Sequence, residues 1–198
     1  KYENKPFLKW PGGKFKLIEK IVACLPEGQR FFEPFVGSGA VFSNLNYPRF
    51  TISDANPDLI NLYKQFKKEG LGFVDYCDSF FCSAYNRPEI YYALRLLFNK
   101  SDDLREKSAL FLYLNRHSYN GLVRYNLSGE FNAPFGRYKK PYFPRKEMEA
   151  FLPKLRKATI HEMNYKKAIK TAKSGDVCYF DPPYAPLNQK TNDRLKPD

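Results

Sequence analysis

The sequence predicts an α/β fold, in which helices cover a sheet of parallel strands and a helical subdomain is inserted in the middle. Apolar strand candidates alternate with stretches of helical periodicity at both ends of the chain. The first strand candidate runs into Gly37-Ser38-Gly39, and the second ends in Asp54. Strand, glycine turn, helix, strand and acid, in that order, are typical of a nucleotide-binding sheet.

The N-terminal elements are predicted from apolar spacing and from the residues that bound them. Helix, strand, helix, strand and helix are expected, in that order, over residues 15–25, 30–36, 40–45, 50–53 and 58–68. Pro26 ends the first helix, because proline lacks the amide hydrogen that a helix interior requires. Pro57 favours the first turn of the last helix.

The central part of the chain has a different pattern. Later elements are expected as helices over residues 89–99 and 102–116, and as strands over 158–160 and 177–180. An irregular segment rich in Asn, Gly, Arg, Tyr and Pro follows the second of these helices as far as Pro144. Residues 1–69 and 145–198 are therefore predicted to form one discontinuous domain, and residues 70–144 an inserted subdomain.

Composition narrows the class of partner. The chain has 198 residues, 43% of them hydrophobic, which suits one large or two small globular domains with a substantial core. A net charge of +12 is combined with 17% aromatic residues. Lys and Arg in excess beside aromatic rings favour nucleic acid, whose phosphates bind cations and whose bases stack on rings. A basic surface that serves only solubility is the alternative.

Cysteine and hydropathy patterns argue against a metal site and a membrane span. The four cysteines form no CxxC pair, and both histidines stand far from them in sequence, so we expect free thiols in a reducing cytosol and no metal. No signal peptide and no uninterrupted apolar stretch of about 20 residues is visible. These patterns predict a cytoplasmic protein with no membrane partner.

The turn after the first strand is a candidate cofactor site. Glycines after a strand allow the backbone to approach a ligand, and they expose a helix N-terminus beside it. Asp54, at the end of the next strand, can accept hydrogen bonds from both hydroxyls of a ribose. The lack of a full GxGxxG motif argues against a dinucleotide and favours an adenosyl ligand. A helix cap is the alternative role for Asp54.

The segment Lys9-Trp10-Pro11-Gly12-Gly13-Lys14 is a second candidate site. It contains the only Trp of the chain, two cations and a glycine pair before a predicted helix. A cation at a helix start is unfavourable to the helix dipole unless an anion lies there, and a ligand carboxylate would supply that anion. The alternative is a core Trp10 flanked by solvated lysines.

The tetrapeptide Asp181-Pro182-Pro183-Tyr184 suits chemistry on a flat amino group. An adenine or cytosine amino nitrogen is a poor nucleophile, because its lone pair is delocalised into the ring. The Asp181 carboxylate and the Pro182 carbonyl are acceptors that can bind both amino hydrogens and draw the nitrogen toward a pyramidal geometry. The prolines fix the backbone, and Tyr184 can stack on the base. A plain strand-to-loop turn is the alternative.

Residues 115–140 mix base-reading and phosphate-binding side chains. Arg can bind guanine and Asn can bind adenine through paired hydrogen bonds, while Tyr and Leu can stack on or wedge between displaced bases. Arg137, Lys139 and Lys140 suit phosphates. A surface loop with aromatic anchors is the alternative.

Together, these motifs resemble the Dam-type DNA adenine-N6 methyltransferases, which use S-adenosylmethionine. The resemblance runs nearly continuously from Lys5 to about Leu187, through FLKWPGGK, EPFVGSGAVF, SDANPDLINLY, FLYLNRHSYNGLVRYN, GEFNAPFGRYKKPYF and YFDPPYAPL. It implies a Rossmann-like class I methyltransferase sheet of the α group, whose DNA-recognition insertion lies between the glycine and DPPY motifs. It also implies methyl transfer to N6 of a flipped-out adenine in GATC of double-stranded DNA, with S-adenosylhomocysteine as product.

The resemblance implies roles for individual residues. Catalysis is implied at Asp181, Pro182, Pro183 and Tyr184, and cofactor contacts at Trp10, Lys14, Glu33, Pro34, Phe35, Gly37, Ser38, Gly39, Asp54 and Asp181. Contacts with the displaced base and with base edges are implied at Tyr119, Asn120, Leu122, Arg124 and Pro134. Contacts with phosphates or with DNA near the active site are implied at Lys9, Arg95, Asn126, Asn132, Arg137, Tyr138 and Lys139. A monomer from a prokaryotic or phage cytoplasm is implied as well.

The chain departs from that family pattern in two ways. Pro11 and Ser118 stand where Ala and Gly are more familiar, and Ser118 would affect how the hairpin bends. The chain also ends soon after the DPPY motif, so the C-terminal strands of the fold are expected to be absent. Two alternatives follow: a catalytically impaired relative that acts as a GATC-binding module, and an amino-methyltransferase with another substrate. Asp54 and the DPPY motif argue against the first, and the hairpin residues argue against the second.

Overall fold

A sheet of four parallel strands organises the protein, in a computed structural model that describes residues 4–183. The strands are β1 (Arg30–Glu33), β2 (Arg49–Asp54), β3 (Ala158–Glu162) and β4 (Asp176–Cys178). Their order across the sheet is β3-β2-β1-β4. Since all neighbouring strands are parallel, their carboxyl ends lie at one edge of the sheet. The segments that follow the strands therefore meet at that edge.

Within the described residues, one helix precedes β1 and the others connect β2 to β3 and β3 to β4, whereas the connection from β1 to β2 holds only a 3₁₀ turn. The helices are α1 (Ile18–Cys24), α2 (Pro57–Glu69), α3 (Leu71–Asp78), α4 (Pro88–Lys100), α5 (Leu104–His117), α6 (Arg145–Arg156) and α7 (Tyr165–Ile169). Short 3₁₀ turns span Phe15–Leu17, Phe42–Asn44, Ser83–Tyr85 and Tyr119–Gly121. Among the helices of residues 4–183, none has the length and apolarity needed to cross a membrane.

Most predicted elements are confirmed, with two corrections in the N-terminal half. The predicted helix over 40–45 is only the 3₁₀ turn Phe42–Asn44. Tertiary bonds hold this turn, because the Asn4 side chain donates to the Ser43 carbonyl and Asn44 Nδ2 donates to the Asn4 carbonyl, at 2.7 and 2.9 Å. β1 ends at Glu33 rather than continuing to residue 36, since Pro34 has no amide hydrogen for a ladder bond.

Aromatic side chains build the core. Phe7 is fully buried and packs edge-on against Tyr63, Phe66 and Phe151, with ring centroids 6.0, 5.8 and 5.0 Å apart. Among residues 4–183, the largest fully buried side chains are all Tyr or Phe. Much of the aromatic content thus serves packing rather than a partner. Phe7 also places the segment that follows it, including Lys9 and Trp10, beside the sheet edge.

The central segment packs onto the sheet-bearing part through α2 and α5. A polar contact also joins the two parts. The hydroxyl of Tyr125, in the central segment, donates to Asp58 Oδ2, in the first turn of α2, at 2.7 Å. Lys107 Nζ lies 3.7 Å from the other oxygen of Asp58. The division of the chain into residues 1–69 with 145–198 and an inserted 70–144 stays a prediction.

Candidate active site

A cavity of about 520 Å³ lies at the carboxyl edge of the sheet. The loop before α1, the turn after β1 and the segments after β2, β3 and β4 all contribute to its wall. Its lining includes Trp10, Lys14, Glu33, Pro34, Phe35, Gly37, Ser38, Asp54, Ala55, Asn164, Tyr165, Asp181, Pro182 and Pro183. The cofactor residues predicted from the sequence therefore lie together, with one exception. Gly39 is not part of the wall, and it packs behind the turn, where a Cβ would come within 2.7 Å of Phe42 and Phe151.

The glycine turn brings its backbone against Trp10. Gly37 has a φ of +46°, and a Cβ there would lie 2.8 Å from Nε1 of the Trp10 ring. The Tyr63 hydroxyl donates to the Gly37 carbonyl at 2.6 Å, and the Gly37 amide donates to Asp54 Oδ2 at 3.0 Å. These two hydrogen bonds fix the turn, and Trp10 forms one side of the cavity.

Asp54 lines the cavity and does not cap α2. The Asn56 side chain caps α2 by accepting hydrogen bonds from the amides of Asp58 and Leu59, at 3.0 and 3.1 Å. Asp54 instead accepts from the amides of Gly37 and Asn56 with its two oxygens. Burial raises the pKa of Asp54, and these backbone hydrogen bonds partly oppose that shift. The alternative role of Asp54 as a cap is therefore wrong.

Glu33 is the most buried acid of the cavity wall, with 3% of its surface exposed. It accepts a hydrogen bond from the Phe42 amide at 3.1 Å. Burial raises the pKa of Glu33 well above its ordinary value, and the nearby carboxylates Asp181 and Asp54 raise it further. A proton is therefore held on this carboxyl over a wider pH range than on an exposed Glu.

An ion pair joins the two ends of the described chain at the cavity. Lys14 Nζ lies 2.7 Å from Asp181 Oδ2, and the two side chains are 15% and 20% exposed. Lys14 also donates to the Gly12 carbonyl at 2.9 Å. The anion expected beside Lys14 is thus Asp181 of the chain itself, and a 3₁₀ turn rather than an α-helix begins after Lys14. Tyr184 of the tetrapeptide lies outside the described residues.

Several wall residues were not predicted from the sequence, and Asn164 and Tyr165 are the two from the segment after β3. The Tyr165 ring stacks on Phe35 with centroids 5.4 Å apart and an interplanar angle of 29°. Asn164 caps α7 by accepting from the Lys167 amide at 3.1 Å. The signal available in the sequence was an Asn after the strand pattern at 158–160, which is typical of a helix start at the active edge of a sheet.

A second, more open pocket adjoins the cavity at Trp10. It is lined by Lys9, Trp10, Pro11, Tyr119, Asn120 and Leu122. Lys9 Nζ lies 4.2 Å from the centre of the Tyr138 ring, and the Tyr138 hydroxyl accepts from the Asn120 amide at 2.9 Å. Trp10 and Pro11 belong to both pockets and form the partition between them. Five of the predicted DNA-contacting residues therefore meet beside the cavity: Lys9, Tyr119, Asn120, Leu122 and Tyr138.

The remaining predicted DNA residues lie along an irregular hairpin, except Arg95, which lies on α4 and donates to the Ala133 carbonyl of the hairpin at 3.0 Å. The hairpin is held by antiparallel bridges between Ser118 and Phe135 and between Tyr125 and Phe131. Arg124, Asn126, Pro134, Arg137 and Lys139 are exposed, while Arg95 and Asn132 are half-buried. Ser118 is buried, and its hydroxyl donates to the Leu122 carbonyl at 3.1 Å, so this departure from the family pattern adds a bond inside the hairpin.

The described residues show no site for a metal ion. Within residues 4–183, no group of three or more His, Cys, Asp or Glu side chains is arranged to hold one. His117, for example, is buried and stacks on Tyr113, with ring centroids 3.9 Å apart. Burial lowers the pKa of His117 to about 4. Its surroundings are those of a packed core side chain.

Comparison with known proteins identifies the family. Residues 10–197 match the family of D12 class N6 adenine-specific DNA methyltransferases. DNA adenine methylase of Vibrio cholerae serotype O1 is 46% identical over 190 residues, which cover 96% of this chain and 69% of that protein. The DNA adenine methylases of Serratia marcescens and Escherichia coli K12 are 48% and 47% identical over 190 residues, covering 96% of this chain and 70% and 68% of those proteins. The chain therefore belongs to the D12 class of N6 adenine-specific DNA methyltransferases.

Proposed function

We propose that the cavity binds S-adenosylmethionine and that the pocket beyond Trp10 receives a flipped adenine of GATC. The observation that supports this most directly is the shared partition of Trp10 and Pro11. Asp181 lies in the cavity wall, and the hairpin residues Tyr119 and Asn120 line the second pocket. A base that enters from the hairpin side would thus meet the contents of the cavity near Asp181.

The cavity residues fit an adenosyl ligand with an amino-acid tail. The absence of a side chain at Gly37 leaves the floor flat, and a Cβ there would meet Trp10. Asp54 has lone pairs left for ribose hydroxyls, since a carboxylate offers about four acceptor sites and two are used by amides. Lys14, which pairs with Asp181, would in addition attract the carboxylate of the tail, and the stacked rings of Phe35 and Tyr165 would flank the adenine of the cofactor. S-adenosylmethionine supplies a methyl group made electrophilic by a positive sulfur.

Asp181 would prepare the target nitrogen. Its carboxylate and the Pro182 carbonyl would accept the two amino hydrogens and draw the nitrogen toward a pyramidal, nucleophilic geometry. The Lys14 ion pair orients the carboxylate before any substrate enters. Pro182 and Pro183 restrict the backbone, so that the carbonyl is preorganised. Stacking of Tyr184 on the base is proposed from the sequence alone.

The hairpin would read and hold the duplex. We propose base contacts for Leu122, Arg124 and Pro134, and phosphate contacts for Arg95, Asn126, Asn132, Arg137 and Lys139. Displacing an adenine costs a few kcal/mol, roughly, and stacking together with amino hydrogen bonds would offset that cost. The segment 70–144 would act as an inserted recognition subdomain of a monomeric Rossmann-like enzyme.

The deciding experiment is protection of GATC duplexes from a methylation-sensitive nuclease, with and without S-adenosylmethionine. Cofactor-dependent protection supports the enzyme, and cofactor-independent protection favours a DNA-binding module. A duplex with the GATC site scrambled should receive no tritiated methyl group. Asp181→Ala should abolish transfer while DNA binding persists, whereas exposed Asp102→Ala serves as the matched control. Normal turnover by the Asp181 variant would refute the mechanism.

A further inference from the structure

Asn115 is a fully buried amide near the C-terminal end of α5 that bonds two separate segments. Its Oδ1 accepts from the Lys9 amide at 2.9 Å, and its Nδ2 donates to the Lys9 carbonyl at 2.7 Å. The same Nδ2 donates to the Gly121 carbonyl at 3.2 Å. One side chain thus pairs with the Lys9 backbone as a neighbouring strand would, and it holds the hairpin with its remaining hydrogen.

The Gly121 backbone packs directly against the Lys9 side chain. Gly121 has a φ of +69°, and a Cβ there would lie 2.3 Å from Cβ of Lys9. Only glycine fits at this position, because every other residue places a carbon in that space. The contact and the Asn115 bonds therefore form one joint, which we call the Asn115 joint: Lys9, Asn115 and Gly121.

The Asn115 joint connects the two proposed binding sites. On one side, Lys9 continues into Trp10, whose ring covers Gly37 of the cofactor turn. On the other side, Gly121 lies between Asn120 and Leu122, which line the second pocket. The Asn115 side chain bonds the backbones of both Lys9 and Gly121, so a shift of one backbone displaces the other.

We infer that Asn115 is a positioning residue that couples DNA binding at the hairpin to cofactor binding behind Trp10. This inference rests on the proposed function of the two pockets. DNA that orders the hairpin also orders Lys9 and Trp10 through the joint, so a cofactor that binds next loses less conformational entropy. The coupling acts equally in both directions, as linkage requires.

The test measures the dissociation constant of S-adenosylhomocysteine with and without a short duplex that contains GATC. The ratio of the two constants is the coupling factor, for which about 5–150-fold is typical of coupled sites. Trp10 fluorescence reports both events, since it is the only Trp of the chain. Asn115→Asp keeps the shape but replaces the donor with an acceptor that faces two carbonyls. We expect its coupling factor to fall to within about twofold of one.

Asn99, on α4, offers a matched control that bonds the same hairpin. Its side chain also pairs with one backbone, accepting from the Phe131 amide at 2.8 Å and donating to the Phe131 carbonyl at 3.1 Å. The contact does not involve Lys9 or Trp10. Asn99→Asp should therefore loosen the hairpin and leave the coupling factor at the wild-type value.

Gly121→Ala provides a second route to the same joint, should Asn115→Asp not fold. It separates the hairpin from Lys9 without changing Asn115, and we expect the same loss of coupling. Wild-type coupling in a folded Asn115 or Gly121 variant would overturn the inference, as would an equal loss in Asn99→Asp. A wild-type protein that binds both ligands without coupling would also overturn it and leave the proposed function intact. A wild-type protein that binds neither ligand would instead refute the proposed function.

Discussion

Replacing Gly37 with alanine tests whether the turn after β1 is the floor of the cofactor cavity. Gly37 has a φ of +46°, a conformation that disfavours any side chain. The new Cβ would also come within 2.8 Å of Trp10 Nε1 and 2.9 Å of Trp10 Cδ1. Real Cβ atoms do not approach so closely, so the Trp10 ring must move into the space of the cavity.

The strained φ at residue 37 changes the stability of the protein, whereas the clash with Trp10 changes its affinity for the ligand. A positive φ costs a non-glycine residue about 1–2 kcal/mol, which lowers the Tm of a chain of this size by about 2–8 °C. Displacement of Trp10 acts on binding instead. We expect the affinity for S-adenosylhomocysteine to fall at least about tenfold, which corresponds to about 1.4 kcal/mol.

Gly175 separates the two effects. It has a φ of +86°, a Cβ added there would meet no atom within 4 Å, and it lies outside the cavity wall. Gly175→Ala should therefore lose stability comparably and bind the ligand with wild-type affinity. Calorimetric titration and thermal unfolding of both variants give the two quantities. Wild-type affinity in folded Gly37→Ala would refute the assignment of the turn as the floor of the cofactor cavity.

Three further predictions concern stability. Arg30 lowers the pKa of Asp176 to about 2, so the stabilisation is present above an unfolded pKa of about 3.9 and is lost as pH falls toward 2. In urea titrations, Asp176→Asn should lower the free energy of unfolding by about 1 kcal/mol above that pH window, after allowance for solvent screening, and should show no such loss in acid. Burial raises the pKa of Glu33, so its contribution to stability is fully present below an unfolded pKa of about 4.3 and is lost as pH rises through the folded pKa. The Tm of Glu33→Gln should therefore increase relative to that of the wild type as pH rises. Tyr125→Phe removes a donor from buried Asp58 and should cost about 1–3 kcal/mol in urea unfolding, while an unchanged midpoint would contradict the contact.

Much of the cavity lining could be predicted because its signals are local. Glycine at residue 37 requires only a turn after a strand, and Asp54 requires only the end of the next strand. The alternative role of Asp54 as a helix cap was excluded by Asn56, whose side chain occupies the capping position, while ribose binding by Asp54 stays a proposal. The sequence pattern does not show which of two neighbouring residues, Asp54 or Asn56, caps the helix that follows.

Contributions from distant segments could not be predicted in the same way. Tyr165 reaches the cavity because β3 lies beside β2 in the sheet, and strand order is not visible in apolar spacing. The partner of Lys14 was likewise expected to be a ligand, although Asp181 supplies the carboxylate. The high aromatic content is only a partial signal of base stacking, because rings such as Phe7 fill the core. The positive charge is therefore the better signal of the nucleic-acid partner.

The hairpin holds Arg124 in a defined orientation before DNA arrives. Arg124 donates through Nε to Asn132 Oδ1 at 2.7 Å and through Nη2 to the Asn132 carbonyl at 3.0 Å. A guanidinium has five donors in a planar fork, so these two bonds fix its plane and leave Nη1 and one Nη2 hydrogen for a base edge. A side chain fixed in this way loses less entropy when it binds. Asn132, expected from the resemblance to hold a phosphate, would therefore also support the base contact that we propose for Arg124.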